Sequence, residues 1–183
     1  MTILAISGSL RRDSHNTALL RAVRDLAPAG VAVELYDGLA AIPAFSEDLE
    51  PDPPDTVVDL RARIAEADAL LIATPEYNGS APGALKNALD WASRPRGESA
   101  LIAKPAAAIG ASPGSFGAKW AQEQIRRALM LSGAMVVDPE LAVANVDEKI
   151  VDGELVDGQV RAELGAVIDA LVETTDAERA LAA

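Results

Sequence analysis

Ala69-Leu70-Leu71-Ile72-Ala73-Thr74 is a run in which only the last side chain carries a polar atom. A strand that is apolar on both faces belongs in the middle of a sheet covered on both sides, and such sheets are parallel. Parallel neighbours need long crossovers, usually helices, so this run asks for strand and helix to alternate along the chain.

The remaining sequence supplies that alternation. Ile3-Leu4-Ala5-Ile6 reads as a first buried strand, followed by a helix carrying Leu19, Leu20 and Val23. Pro28-Ala29-Gly30 stops that helix, and residues 31–36 form a second strand. Residues 37–54, with Pro43, Pro51, Pro53 and Pro54, are loop-like. Asp55 or Thr56 then caps a helix with Val57, Leu60 and Ile64 on one face. The helix at 83–93 has Leu85, Ala88, Leu89 and Ala92 in register, which leaves Trp91 facing solvent or another surface. Residues 105–110 form a fourth strand, and after a loop at 111–117 a helix with Ile125 and Leu129 inward runs to about Ser132, with Gly133 as C-cap. A fifth strand falls at 134–137, an acidic turn or hairpin at 147–158, and a last helix buries Val160, Leu164, Val167, Ile168 and Leu171. With no repeat and no break in composition, residues 1–183 read as one three-layer α/β domain with a five-stranded parallel sheet. The strand order 2-1-3-4-5 would gather the loops after strands one, three and four at one edge, where such sheets bind ligands.

Those three loops are the unusual ones. The first, Gly8-Ser9-Leu10-Arg11-Arg12-Asp13-Ser14-His15-Asn16-Thr17, gathers hydroxyls, an amide and two guanidinium groups before a helix N-terminus. Donors of that kind suit a phosphate monoester. It has no G-x-G-x-x-G and no G-x-x-x-x-G-K-[ST], so neither a dinucleotide fingerprint nor a P-loop is present. The same residues also allow a plain capped helix, with Asn16 or Thr17 as N-cap and the arginines solvated. The second loop, Pro75-Glu76-Tyr77-Asn78-Gly79, offers successive N–H groups to a planar heterocycle, although Asn78 could simply supply a left-handed turn residue. The third, Ser112 to Gly117, has two glycines that allow close approach to a flat ligand. A phosphate at one end and a ring edge at the other describe a mononucleotide, of which FMN is the natural candidate.

Composition narrows the partners. A net charge of −12 and a pI near 4.4 argue against nucleic acid and anionic membrane surfaces. No apolar run approaches a membrane span, the first strand follows Met1-Thr2 without a charged leader region, and cysteine is absent. These features predict a cytoplasmic setting without disulfides or thiolate metal sites. No His or Cys cluster suggests a metal, and no nucleophile–base pair suggests hydrolysis. His15, the only histidine, is expected to be exposed and inert. Arg94 and Arg96 could attract a dinucleotide phosphate or be a solvated pair.

The chain resembles the NADPH-dependent FMN reductase family, the flavodoxin-like group of quinone, chromate and azo-dye reductases. The resemblance rests on Gly8-Ser9-Leu10-Arg11 with Ser14, Asn16 and Thr17. It continues in Pro75-Glu76-Tyr77-Asn78-Gly79-Ser80 with Pro82-Gly83, Leu85-Lys86-Asn87 and Asp90-Trp91, and in Ser112 and Gly114. By that resemblance Ser9, Arg11, Ser14, Asn16 and Thr17 would hold the FMN phosphate. Pro75, Glu76, Tyr77, Asn78 and Gly79 would line the isoalloxazine, with Ser112 and Gly114 beside it. NADPH or NADH would be the hydride donor, a quinone or another small electrophile the acceptor, and the assembly a homodimer or tetramer with Trp91 at its interface. The rival readings are a one-electron carrier like flavodoxin and a flavin-binding regulatory protein without turnover.

Overall fold

The computed structural model describes residues 1–182. Its order is β1 (Thr2–Ser7), α1 (His15–Leu26), β2 (Ala32–Tyr36), α2 (Asp55–Glu66), β3 (Ala69–Thr74), α3 (Gly83–Ala92), β4 (Pro105–Ala111) and α4 (Lys119–Leu131), then four short strands and a long helix. These are β5 (Met135–Val136), β6 (Leu141–Val143), β7 (Ile150–Val151), β8 (Glu154–Leu155) and α5 (Gly158–Ala182). The main sheet runs β2-β1-β3-β4-β5 and all its pairings are parallel. Every residue of β3 and β4 is buried, as an apolar run in mid-sheet requires.

One sheet face is covered by α1 and α5, through Leu19, Leu20, Val23, Leu164, Val167 and Ile168. The other is covered by α2, α3 and α4, through Leu60, Ile64, Leu85, Leu89, Ile125 and Leu129. Register sets the shared edge: Ser7 pairs with Ala73, and Thr74 with Gly110, so β1, β3 and β4 end level with one another. Three helix-bound loops therefore open at one end of the sheet.

The fifth strand position differs from the sequence reading. Two short pieces occupy it, β5 beside the start of β4 and β6 beside its end. Pro139 lies between them and has no N–H for a ladder. Arg126 holds the interruption, donating to the Val137 carbonyl at 2.8 Å and pairing with Glu140 at 3.2 Å. The acidic stretch after it does form a hairpin, β7–β8, whose Ile150 and Leu155 join the α1–α5 core.

Trp91 corrects a larger expectation. Spacing placed it off the inward stripe and toward a partner subunit, but its relative exposure is 0%. It faces the proline-rich segment 37–54, which lies over α3. The indole N–H donates to the Pro43 carbonyl at 2.9 Å, and the Asn87 amide donates to the same oxygen at 2.8 Å. Asn87 also accepts from the Phe45 N–H at 2.8 Å, while the Phe45 ring meets Trp91 edge-on at 4.9 Å. Arg61 lies over the indole from α2 and donates to the Trp91 carbonyl at 3.0 Å. Burial in this cluster lowers the pKa of Arg61 from its ordinary value, with Glu50 opposing the shift. Arg94 pairs with Glu50 at 2.9 Å and lies over Phe45, so it belongs to this strap instead of awaiting a dinucleotide phosphate.

Trp91→Phe keeps the ring in the core and removes its bond to Pro43. It should lower unfolding free energy by about 1–2 kcal/mol, read from urea denaturation. It should also speed proteolytic cutting within 37–54 and leave the oligomeric mass unchanged.

Candidate cofactor cleft

The cleft is built where β1 hands over to α1. Gly8 donates its N–H to the Ala73 carbonyl at 2.8 Å, which joins the end of β1 to the end of β3. A Cβ on Gly8 would lie 2.7 Å from Leu85 Cδ2 and 3.4 Å from Pro75 Cδ, so glycine lets the second loop and α3 close onto the first. Beyond it the chain turns through Ser9 to Asp13 and enters α1 with Ser14 as N-cap, its hydroxyl accepting from the Thr17 N–H at 3.4 Å. The cap is therefore Ser14, two or three residues ahead of the sequence assignment of Asn16 or Thr17. The first N–H groups of α1 have no intrahelical acceptor and add partial positive charge there. Arg11 and Arg12 are exposed and form no ion pair among the described residues.

Asn16 works inward. Its amide donates to the Ala111 carbonyl at 3.1 Å and its oxygen accepts from the Ala111 N–H at 3.0 Å, both buried. This side chain ties the first loop to the end of β4. The Thr17 hydroxyl donates to Ser7 Oγ at 2.8 Å and so fixes the same corner. His15 is half-buried instead of exposed, with Nε2 3.0 Å from Asp147 Oδ1, and links α1 to the turn before the hairpin.

The second loop is a tight turn. Tyr77 and Ser80 exchange backbone bonds at 2.9 and 3.1 Å, with Asn78 at φ 53° and Gly79 at φ 71°. Asn78 thus supplies the left-handed conformation the turn needs, and the N–H groups of Asn78 and Gly79 stay outside the cross-turn pair. The Glu76 carboxylate accepts from the Ala121 N–H at 3.1 Å, capping the start of α4, while Gln124 accepts from Ser80 Oγ and the Ala81 N–H. The third loop is pinned by Gly117, at φ 59°, where a Cβ would lie 2.5 Å from the Ala142 carbonyl carbon.

Together the loops enclose a cleft of about 290 Å³, open on one side, lined by Ser9, Arg11, Ser14, His15, Asn16, Pro75, Glu76, Tyr77, Ser112, Pro113 and Asp147 with Ala111 at its floor. Eight of the twelve residues singled out from the sequence line it: Ser9, Arg11, Ser14, Asn16, Pro75, Glu76, Tyr77 and Ser112. Thr17 lies behind it, Asn78 and Gly79 at the turn tip, and Gly114 next to Ser112, whose hydroxyl accepts its N–H at 3.1 Å. Sequence reading missed His15 and Asp147 as wall residues. Their contact joins positions 132 apart and leaves no local signal. Among the described residues no group of three or more His, Cys, Asp or Glu is placed to hold a metal ion. The arrangement offers cationic and hydroxyl donors from the first loop and a partly apolar wall from Pro75, Tyr77 and Pro113 of the other two.

Residues 1–148 match the model of a family described as NADPH-dependent FMN reductase. The chain is 40% identical over 171 residues to a 2-hydroxy-1,4-benzoquinone reductase of a Burkholderia species, covering 92% of this chain and 93% of the relative. It is 41% identical over 172 residues to an NAD(P)H-dependent FMN reductase of Pseudomonas aeruginosa, covering 92% of each. Among solved structures it is similar to FerB, a flavoenzyme NAD(P)H:(acceptor) oxidoreductase from Paracoccus denitrificans. The TM-score is 0.87 and the identity 36%, over 97% of this chain and 98% of that one.

Asn16→Ala would strand the buried Ala111 N–H and carbonyl together. It should cost about 2–4 kcal/mol of unfolding free energy, one desolvated group at a time. Arg11→Ala, at an exposed site, should stay within about 0.5 kcal/mol. Urea denaturation of the cofactor-free protein compares the two.

Proposed function

The chain belongs to the NADPH-dependent FMN reductase family, and from that premise we propose that its three loops bind FMN and serve electron transfer from NAD(P)H to a quinone-type acceptor. The observation that carries this assignment of the site is the donor set. Arg11, Ser9, Ser14 and the first turn of α1 suit a monophosphate, and the Tyr77–Ser80 turn suits a ring edge. When bound, FMN supplies the hydride-accepting and electron-donating chemistry. The net reaction is NAD(P)H, a proton and a quinone giving NAD(P)⁺ and a hydroquinone.

The protein's own part is binding and electrostatics. Arg11 would neutralise the phosphate dianion, and Ser9 and Ser14 would orient it by hydrogen bonds. The outward N–H groups of Asn78 and Gly79 would place partial positive charge at the ring edge, favouring the state with more electron density there. Asn16, Thr17 and Glu76 act one step back: Asn16 and Thr17 hold the first loop to β4 and to Ser7, and Glu76 holds the second loop to α4, so that the donors converge without reorganisation. Pro75 and Ser112, with Gly114 behind it, complete the slot. The reliance on NAD(P)H supports a cytoplasmic setting, which cell fractionation tests directly.

A second copy of the chain is the proposed partner. Met130 and Leu131 are 55% and 79% exposed at the end of α4. Leu131 borders an apolar groove of about 390 Å³ that Ala81, Ile125 and Ala128 help to line. Exposed apolar surface of this kind marks interfaces. This face replaces Trp91 as the basis for expecting a homodimer or tetramer.

The purified protein should be yellow and release FMN on denaturation. Arg11→Ala should raise the FMN dissociation constant by about 10- to 150-fold, the range for a lost charge-assisted bond. An unchanged constant removes Arg11 from the site. Steady-state oxidation of NADH and NADPH with a quinone panel should give parallel double-reciprocal lines if both substrates use one ring face; intersecting lines reject a shared face. Leu131→Asp should shift the mass toward monomer in light scattering, because the charge would be buried in the interface.

A further inference from the structure

The chain has two Trp, two Tyr and two Phe, and they fall into two groups. Tyr36, Phe45 and Trp91 lie in or beneath the strap over α3 and the neighbouring core. The other three are exposed: Tyr77 at 54%, Phe116 at 58% and Trp120 at 44%. An acidic, soluble-looking surface that carries half of its few aromatics in the open invites a reason.

Phe116 and Trp120 form a pair. Their ring centroids are 4.7 Å apart with planes tilted by 42°, on either side of the turn that starts α4. Phe116 belongs to the third loop, whose Ser112 and Pro113 line the cofactor cleft. Trp120 precedes Ala121, whose N–H is held by the Glu76 carboxylate at 3.1 Å, and Glu76 adjoins Tyr77. The pair is thus carried by the third loop and by the first turn of α4, which Glu76 ties to the second loop, and neither ring is needed to fill the core.

We infer that Phe116 and Trp120 form a stacking subsite for a planar electron acceptor, beside the cofactor cleft and separate from the phosphate end; the inference rests on the redox reading proposed above. Rings in this arrangement recognise a flat π-system by offset or edge contact. Size favours a small molecule over a second protein. Two large aromatics at these exposures offer about 200–250 Å² between them, whereas each side of a stable interface needs about 800 Å². The exposed apolar end of α4 at Leu131 lies eleven residues further on, about 16 Å along the helix. The groove proposed as the copy-to-copy face begins nearer, at Gln124 one turn past Trp120, so the mass of the double variant in solution separates the pair from that face.

The test uses the oxidised, FMN-loaded protein and the double variant Phe116→Ala/Trp120→Ala. Equilibrium dialysis measures menadione binding without NAD(P)H, and turnover compares menadione with ferricyanide, an acceptor that has no ring to stack. The expected result is a rise of about tenfold in the menadione dissociation constant. The ratio of menadione to ferricyanide kcat/KM should fall by a similar factor, and Trp120→Phe should restore most of both. A menadione dissociation constant within twofold of wild type overturns the proposal. So does a variant that loses its FMN or changes its mass in light scattering, since the pair would then belong to the cradle or to an interface. A wild-type protein that binds menadione through this pair but oxidises no NAD(P)H would leave the subsite standing and reject the redox reading instead.

Discussion

Burial of β3 and β4 on both faces is the constraint from which the rest follows. Neither strand can border water, so helices must cover both sides, and the crossovers must all return in the same sense. Level strand ends then make the loops after β1, β3 and β4 neighbours whatever their sequences. The cleft is a consequence of covering the sheet, and the loop residues only decide what it recognises.

Neighbouring loops still have to be held at fixed separations, and polar side chains do this at few points. Asn16 joins the first loop to β4, Glu76 joins the second to α4, and Gln124 joins α4 back to Ser80 and Ala81. Each crosses between elements far apart in sequence. Each also satisfies backbone groups that a loop or helix end would otherwise leave without partners. The donors that face the cleft, Ser9, Arg11 and Ser14, make few bonds to the rest of the protein. Rigid support and ligand contact are thus divided between different side chains.

Much of this was legible in the sequence, for reasons that differ by element. Apolar runs and helical stripes report burial directly, which is why the strand–helix alternation and the layered class could be read, whereas the strand order, which the structure bears out, was an assumption. Loops rich in Gly, Pro, Ser and Asn at strand ends marked the cleft. What stayed hidden depended on contacts between distant positions. Trp91 lies off the stripe that faces the sheet, and periodicity cannot show that residues 37–54 fold back to cover it. Asn16 looked like a ligand donor because its partner, Ala111, offers only backbone. The fifth strand was read at 134–137 alone, because the apolar run at Leu141–Val143 is too short to report a strand until its ladder with the end of β4 is in place.

Asn87 and Trp91 are among the residues by which this chain resembles its family, yet both face the Pro43 carbonyl and the strap, away from the cleft. Their presence in a sequence therefore diagnoses carpentry, not chemistry. A descendant that had abandoned its flavin would still keep them, because losing them would unpin the segment over α3. Its signature would persist while Ser9, Arg11 and Ser14 drifted. Among chains of this shape, the loop between β1 and α1 is the place to look for those that have changed occupation.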